Sequence, residues 1–189
     1  MKILVACECS GIVRDSFARK GHNAWSCDII PCERGGKHLM CDVRTVLDMK
    51  WDMMLAFPPC DHLAVSGARY FAEKREDGRQ QRAIDFFMLL INAPIPMIAV
   101  ENPVGIMSTL YRKPDQIIQP FMFGEDASKK TCLWLKNLPL LVPTDIIIKH
   151  RYANQTPSGQ NRLGPSPTRA MDRSRTYENI ATAMADQWG

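Results

Sequence analysis

Apolar residues fall in short runs along the first half of the chain, each closed by Gly, Pro, Ser or Asp. Residues 2–7 read as a buried strand, Glu8-Cys9-Ser10-Gly11 as a tight turn, and residues 12–19 as a helix ending near Gly21. That order opens a βαβ unit. Residues 23–27 give a second strand closed by Asp28, with Ile29 beyond it, and residues 30–37 form a polar loop with Pro31, Gly35 and Gly36. A short run over residues 38–43 ends on another acid, Asp42, beside Val43. Residues 51–56 are apolar and lead into Phe57-Pro58-Pro59-Cys60-Asp61-His62. Two prolines prevent this run from continuing as a helix. Its last side chains are therefore expected at the carboxyl edge of a sheet, where open α/β folds bind ligands.

Residues 64–71 show no clear period. Residues 73–91 form the longest helical pattern, with Ile84, Phe87, Met88 and Ile91 spaced for one face, and this predicts a helix covering the sheet. After Pro94 and Pro96, residues 97–100 read as a strand that runs into Glu101-Asn102-Pro103-Val104-Gly105, so a second polar pair stands at a strand end. Residues 119–124 are apolar and turn-rich. Lys129-Lys130-Thr131 precedes an apolar-aromatic run at 132–135, expected as a strand of the same sheet and ended by Asn137-Leu138-Pro139. Over 149–175 the composition shifts to Pro, Ser, Gly and Asn, with six basic residues against Asp172, which predicts an exposed basic loop. Residues 177–188 read as a closing helix. The alternation of strands and helices predicts an α/β fold: a doubly wound, mostly parallel sheet in one domain over residues 1–189, with no internal repeat.

Composition adds bounds. A chain of 189 residues can bury a core without disulfides or metal. No apolar run approaches the roughly 18 residues of a membrane span, and Met-Lys-Ile-Leu-Val opens a strand rather than a signal peptide, so a cytoplasmic location without membrane attachment is expected. Seven cysteines without Cys-x-x-Cys pairing favour neither a disulfide framework nor a metal site. A net charge of +4 permits a nucleic-acid partner without demanding one.

The chemistry rests on the two strand-end pairs. A cysteine thiolate is a strong nucleophile, and a glutamate at a neighbouring strand end can protonate a ring nitrogen or bind an exocyclic amine. Together they suit conjugate addition to a pyrimidine: Cys60 attacks C6 of cytosine, Glu101 assists at N3, and C5 takes an electrophilic group. Asp61 or a bound water could remove the C5 proton. Asp28, about 20 residues beyond the first strand, is placed as a ribose-binding carboxylate in nucleoside-binding α/β folds, although an acid after a short strand, Asp42 included, also serves as a helix cap.

The order Cys7-Glu8-Cys9-Ser10-Gly11, Asp28, Asp42, Pro59-Cys60 and Glu101-Asn102 resembles the S-adenosylmethionine-dependent DNA cytosine-5 methyltransferases, most closely their short, phage-type members. The resemblance implies a Rossmann-like class I methyltransferase fold, S-adenosyl-L-methionine as cofactor and DNA, duplex or single-stranded, as partner, in a bacterial or phage-infected host cytoplasm. It implies cofactor contacts from Cys7, Glu8, Cys9, Ser10, Gly11, Asp28, Ile29, Asp42, Val43, Pro58 and Pro59. Cys60, Glu101, Asn102 and Asp61 fall to catalysis, with Asn102 holding the nucleophile loop. Lys129 and Lys130 stand near the family's basic motif beside the target base. Departures are the Cys7 and Cys9 positions, where the family has Phe and Gly, and Asp61 and Pro103, where it has Gln and Val. Only about 35 residues separate the Trp134 strand from the closing helix, where the family inserts a target-recognition domain. Arg162, Arg169, Arg173 and Arg175 of the basic loop are expected to supply phosphate contacts instead, with a homodimer or helper protein as a further route to recognition.

Three other readings use the same residues. Phe57-Pro58-Pro59-Cys60 could be a variant of the amino-methyltransferase tetrapeptide, but Phe57 cannot accept the hydrogen bonds needed there. A catalytically silent nucleic-acid or partner-binding module would not need both Cys60 and Glu101. A thiol-dependent hydrolase would need His22, His38 or His150 to reach Cys60 in space.

Overall fold

The structure, a computed structural model, describes residues 1–164, 166 and 169–189. Its centre is a seven-stranded sheet in the order β3-β2-β1-β4-β5-β7-β6. The strands are β1 (Lys2–Ala6), β2 (Asn23–Asp28), β3 (His38–Met40), β4 (Met53–Ala56), β5 (Met97–Pro103), β6 (Gln116–Ile118) and β7 (Thr131–Lys136). The first five pair in parallel, whereas β7 runs antiparallel to both β5 and β6. The chain leaves β1 for β2 on one side and returns to β4 on the other. The β1/β4 junction is thus the switch point at whose carboxyl edge such sheets bind ligands.

Both faces of the sheet are covered, which explains why its inner strands read as continuous apolar runs. Ile3, Val5, Met53, Leu55 and Ala99 pack on one face against α1 (Ile12–Arg19) and the closing helix, and Leu4, Ala6, Met54, Ile98 and Val100 on the other. Between these lie α2 (Phe71–Glu76), α3 (Arg79–Ile91), α4 (Met107–Leu110) and α5 (Arg169–Ser174), and α6 (Glu178–Trp188) closes the chain. Helix α3 sends Phe87 into the second core, edge-on to Trp134 with ring centroids 5.1 Å apart. Helix α6 lays Ala181, Ala183 and Ala185 beside α1, and Lys20 pairs with Asp186 at 2.5 Å. Among the described residues no helix is long and apolar enough to cross a membrane.

Several local expectations differ from what is seen. The single helix expected over 73–91 is two, because Gly78 takes φ +76 and Asp77 Oδ1 accepts the Arg79 amide at 2.9 Å, restarting the chain as α3. The run at 38–43 is shorter than expected: β3 stops at Met40, and Asp42 caps a 3-10 turn at Val43–Thr45. The segment at 149–175, largely exposed, also carries local structure. Asn154 exchanges two hydrogen bonds with the Ser128 backbone, at 3.0 and 2.9 Å, and α5 lies within the segment, which also holds Pro165, Pro167 and Thr168 outside the described residues. Strand β6 is an addition that the sequence pattern does not announce.

Candidate active site

Two loops meet at the carboxyl edge beyond β4 and β5. Ala56, the last residue of β4, pairs with Val100, so Glu101 and Asn102 continue β5 past the end of β4, paired only with β7, while Cys60 lies four residues beyond β4. The loops are tied by backbone: Val65 donates to the Val104 carbonyl at 3.1 Å and Ile106 to that of Leu63 at 3.0 Å. Gly105 is the point of closest approach, since a Cβ there would lie 2.3 Å from the Leu63 carbonyl oxygen. The Asn102 Nδ2 donates to the Pro58 carbonyl at 3.0 Å, which fixes the Pro-Pro turn ahead of Cys60. The Cys60 carbonyl in turn accepts the Leu63 and Ala64 amides, at 3.0 and 2.9 Å.

The electrostatics join these residues. Burial pushes the Cys60 thiol up from its ordinary value, Asp61 and Glu101 add to the rise, and Lys129 and Arg173 oppose it. The Glu101 carboxyl is also raised by burial, against the pull of Lys129 and a hydrogen bond from Thr131. Lys129 and Thr131 are carried at the start of β7, beside the last residues of β5. A small cavity of about 20 Å³ lies against Glu101, walled by Phe57, Lys129 and Thr131 on one side and by Thr176 and Tyr177 on the other.

A larger cleft of about 260 Å³ opens beside the switch point, lined by Cys7, Cys27, Asp28, Ile29, Cys41, Asp42, Val43, Arg44, Pro59 and Phe86. Six of the residues expected at a cofactor therefore line it: Cys7, Asp28, Ile29, Asp42, Val43 and Pro59. Glu8, Cys9, Ser10, Gly11 and Pro58 do not. Glu8 is buried beneath the first turn, where its Oε1 accepts from the Ser10 hydroxyl and the Val13 amide, both at 2.9 Å, and burial raises its carboxyl. It serves the start of α1, for which Gly11 is the N-cap. Asp42 accepts from the Arg44 amide at 2.9 Å and pairs with its guanidinium at 2.8 Å, so the capping role is realised within the cleft wall. Cys27, Cys41, Arg44 and Phe86 escaped the sequence reading. Arg44 stacks over the Phe86 ring at 4.9 Å, and the Cys27 thiol, 3.9 Å from that of Cys41, is pushed up to about 12 by burial first and its neighbour second.

Pro59 belongs to the cleft and Cys60 follows it, so cleft and thiol share one turn. Among the described residues three buried side-chain atoms lack a hydrogen-bond partner: Glu8 Oε2, His62 Nδ1 and Asn102 Oδ1. Glu8 and His62 lie in the loops after β1 and β4, and Asn102 lies near the end of β5. Unpaired buried polar atoms are costly and rare in packed interiors, and here they concentrate at one edge.

The basic residues divide. Lys130 and Arg162 are exposed, whereas Lys129 is partly buried facing Glu101 and donates to the Arg173 carbonyl at 2.9 Å. Arg175 is held by Glu33 at 2.9 Å and by Asp172 at 2.7 Å, which balances the charge expected to meet phosphate. Arg169 begins α5, and its side chain lies outside the described residues.

No protein-family model and no curated protein matches the chain. Among solved structures it is similar to an E. coli protein described as a "putative DNA modification methyltransferase encoded within prophage", with a TM-score of 0.53 and 17% identity over 77% of this chain and 51% of that one. The likeness is one of fold: a mixed, mostly parallel α/β sheet of the Rossmann-like kind. The chain spans about half the length of that structure.

Proposed function

We propose that this chain is a DNA cytosine C5-methyltransferase that uses S-adenosyl-L-methionine. The observation that carries the reading is the joining of Cys60 and Glu101 on adjacent strand ends, in one electrostatic field with Lys129, next to a cleft that shares the Pro59 turn. A thiol and a carboxyl so arranged suit addition across the C5–C6 bond of cytosine. The Cys60 thiol gives its proton to a bound water and its sulfur bonds to C6, while Glu101, whose carboxyl burial raises, hydrogen-bonds and protonates N3. The electron pair moves to C5. That carbon takes a methyl group, the C5 proton leaves to Asp61 or a bound water, N3 returns its proton to Glu101, and the C6–S bond breaks to restore both the double bond and the thiolate.

The cleft fits the cofactor in its donor set: two strand-end carboxylates, Asp28 and Asp42, and an apolar wall of Ile29, Val43, Pro59 and Phe86 suited to a flat heterocycle. When bound there, the cofactor would supply an electrophilic methyl at its sulfonium. Asn102 holds the nucleophile turn, and Lys130, Arg162 and Arg173 supply phosphate contacts that position DNA without reading bases. The target base must leave its stack to reach a thiol recessed at the sheet edge. The DNA substrate is supported by the fold neighbour's description and by the exposed basic residues. Only residues 137–177 separate β7 from α6, so sequence readout falls to a second copy or a helper protein.

The test is covalent trapping. The protein is incubated with S-adenosyl-L-methionine and DNA containing 5-fluorocytosine, whose fluorine cannot leave as a proton does. A denaturation-stable adduct mapping to Cys60 is expected. Its absence, with cofactor binding shown separately, would reject C5 chemistry in favour of amino-methyl transfer or a silent binding module.

A further inference from the structure

Helix α2 breaks the usual rule for a surface helix. It carries no buried apolar stripe, and the one side chain it buries is Lys74, 9% exposed. The Nζ of Lys74 donates to the backbone carbonyl of Asp61 at 2.5 Å. From the start of α3, the buried Gln80, 5% exposed, donates its Nε2 to the carbonyl of His62 at 3.2 Å. Burying an amine and an amide is unfavourable unless each is hydrogen-bonded. Both find their partners in successive carbonyls directly after Cys60.

Upstream, the Asn102 amide holds the Pro58 carbonyl at 3.0 Å. Cys60 is therefore bracketed: Pro58 before it and Asp61 and His62 after it are gripped by buried side chains from β5, α2 and α3, while its own carbonyl takes two amides of the turn. An apolar helix face would hold α2 anywhere along a greasy surface. A hydrogen bond to one carbonyl fixes distance and direction.

We propose that Lys74 and Gln80 are positioning residues that clamp the turn after Cys60 and so aim its sulfur at the target carbon, a role that rests on the C5-transfer reading above. Neither touches the reacting atoms. Their contribution is geometric, and misplacement of a nucleophile by about 1 Å can lower a rate on the order of 100-fold.

Lys74→Met and Gln80→Met remove the donors while keeping length and bulk. In single-turnover trapping on 5-fluorocytosine DNA, each is expected to slow adduct formation by about 10- to 100-fold at saturating DNA, with half-saturating DNA concentration unchanged. Amide hydrogen exchange at residues 61–64 should accelerate in step. An adduct rate equal to wild type in both variants overturns the clamp, and so does a loss confined to DNA affinity. If Lys74→Met does not fold, Gln80→Met decides alone. Failure of the wild-type protein to form an adduct rejects the C5 reading itself; the clamp is then judged on exchange, where unchanged protection of 61–64 in the folded variants overturns it.

Discussion

Replacing Gly105 by alanine tests whether the two strand-end loops act as one unit. The added Cβ would stand 2.3 Å from the Leu63 carbonyl oxygen, 3.0 Å from its carbon and 3.2 Å from the Ala64 Cα. An unstrained carbon-to-oxygen contact needs about 3.3 Å, so the loops must part by roughly 1 Å. All three atoms are backbone, and no side chain can swing away to relieve them. That displacement takes the Ile106–Leu63 and Val65–Val104 bonds, now 3.0 and 3.1 Å, beyond bonding range. Two such bonds, with their groups left poorly paired, are worth about 2–4 kcal/mol. For a chain of this size the melting temperature should fall by roughly 5–15 °C. Because Leu63 and Ala64 donate to the Cys60 carbonyl, the shift reaches the thiol, and adduct formation should slow by about tenfold or more. Gly164→Ala is the control, since a Cβ there meets nothing within 4 Å. Circular dichroism melts and trapping rates decide it. A Gly105→Ala protein that melts within about 2 °C of wild type and traps at the same rate refutes the coupling.

Cys60→Ser should abolish the adduct while shifting the melting temperature by no more than about 2 °C; a collapse of stability would make the thiol structural. Glu101→Gln carries a pH signature. Because burial raises the folded-state pKa above the unfolded value near 4.5, the carboxyl's contribution to stability is full below that value and is lost as pH rises through the raised one. The variant should therefore gain stability relative to wild type between pH 4 and pH 8, and a melting difference that is the same at both ends removes the premise. On DNA, Lys130→Ala and Arg162→Ala should each reduce the slope of log affinity against log salt by about 1, whereas Arg175→Ala, whose charge already faces Glu33 and Asp172, should leave the slope alone. Equal slopes for all three variants would displace the binding face.

The parts of the fold legible in the sequence are those where one property repeats. Ile3 and Val5 serve one core while Leu4 and Ala6 serve the other, so a strand buried on both faces appears as an unbroken apolar run, and the prolines after Ala56 mark where it must stop. Strand β6 lacks such a run: three residues with Ile117 half exposed, held in place by the Gln116 side chain on the Leu141 backbone at 2.7 and 2.8 Å. Phe86 was missed for the opposite reason. It lies off the Ile84, Phe87, Met88 and Ile91 stripe, so helix periodicity assigns it to solvent, although from mid-helix it lines the cleft. Lys74, inside the run Glu73-Lys74-Arg75-Glu76-Asp77, looks like the most ordinary of exposed charges.

What these omissions share is a polar or off-stripe side chain whose environment is set by elements distant in the chain. Composition assigns Lys74 and Gln80 to the surface, and the fold buries both, as it buries the motif residues Glu8 and Asn102. Each is buried against a loop at the carboxyl edge, and each bonds backbone there: Glu8 the Val13 amide, Lys74 the Asp61 carbonyl, Gln80 that of His62 and Asn102 that of Pro58. Stability alone would be served as well by apolar residues of similar volume, because buried polar groups return little net free energy. Directional bonds do what apolar packing cannot. They fix the backbone that bears Cys7 and Cys60 without filling the cleft beside it. The sequence motifs thus mark where chemistry is placed and, through Glu8 and Asn102, part of what keeps it in place; Lys74 and Gln80, outside those motifs, supply the rest.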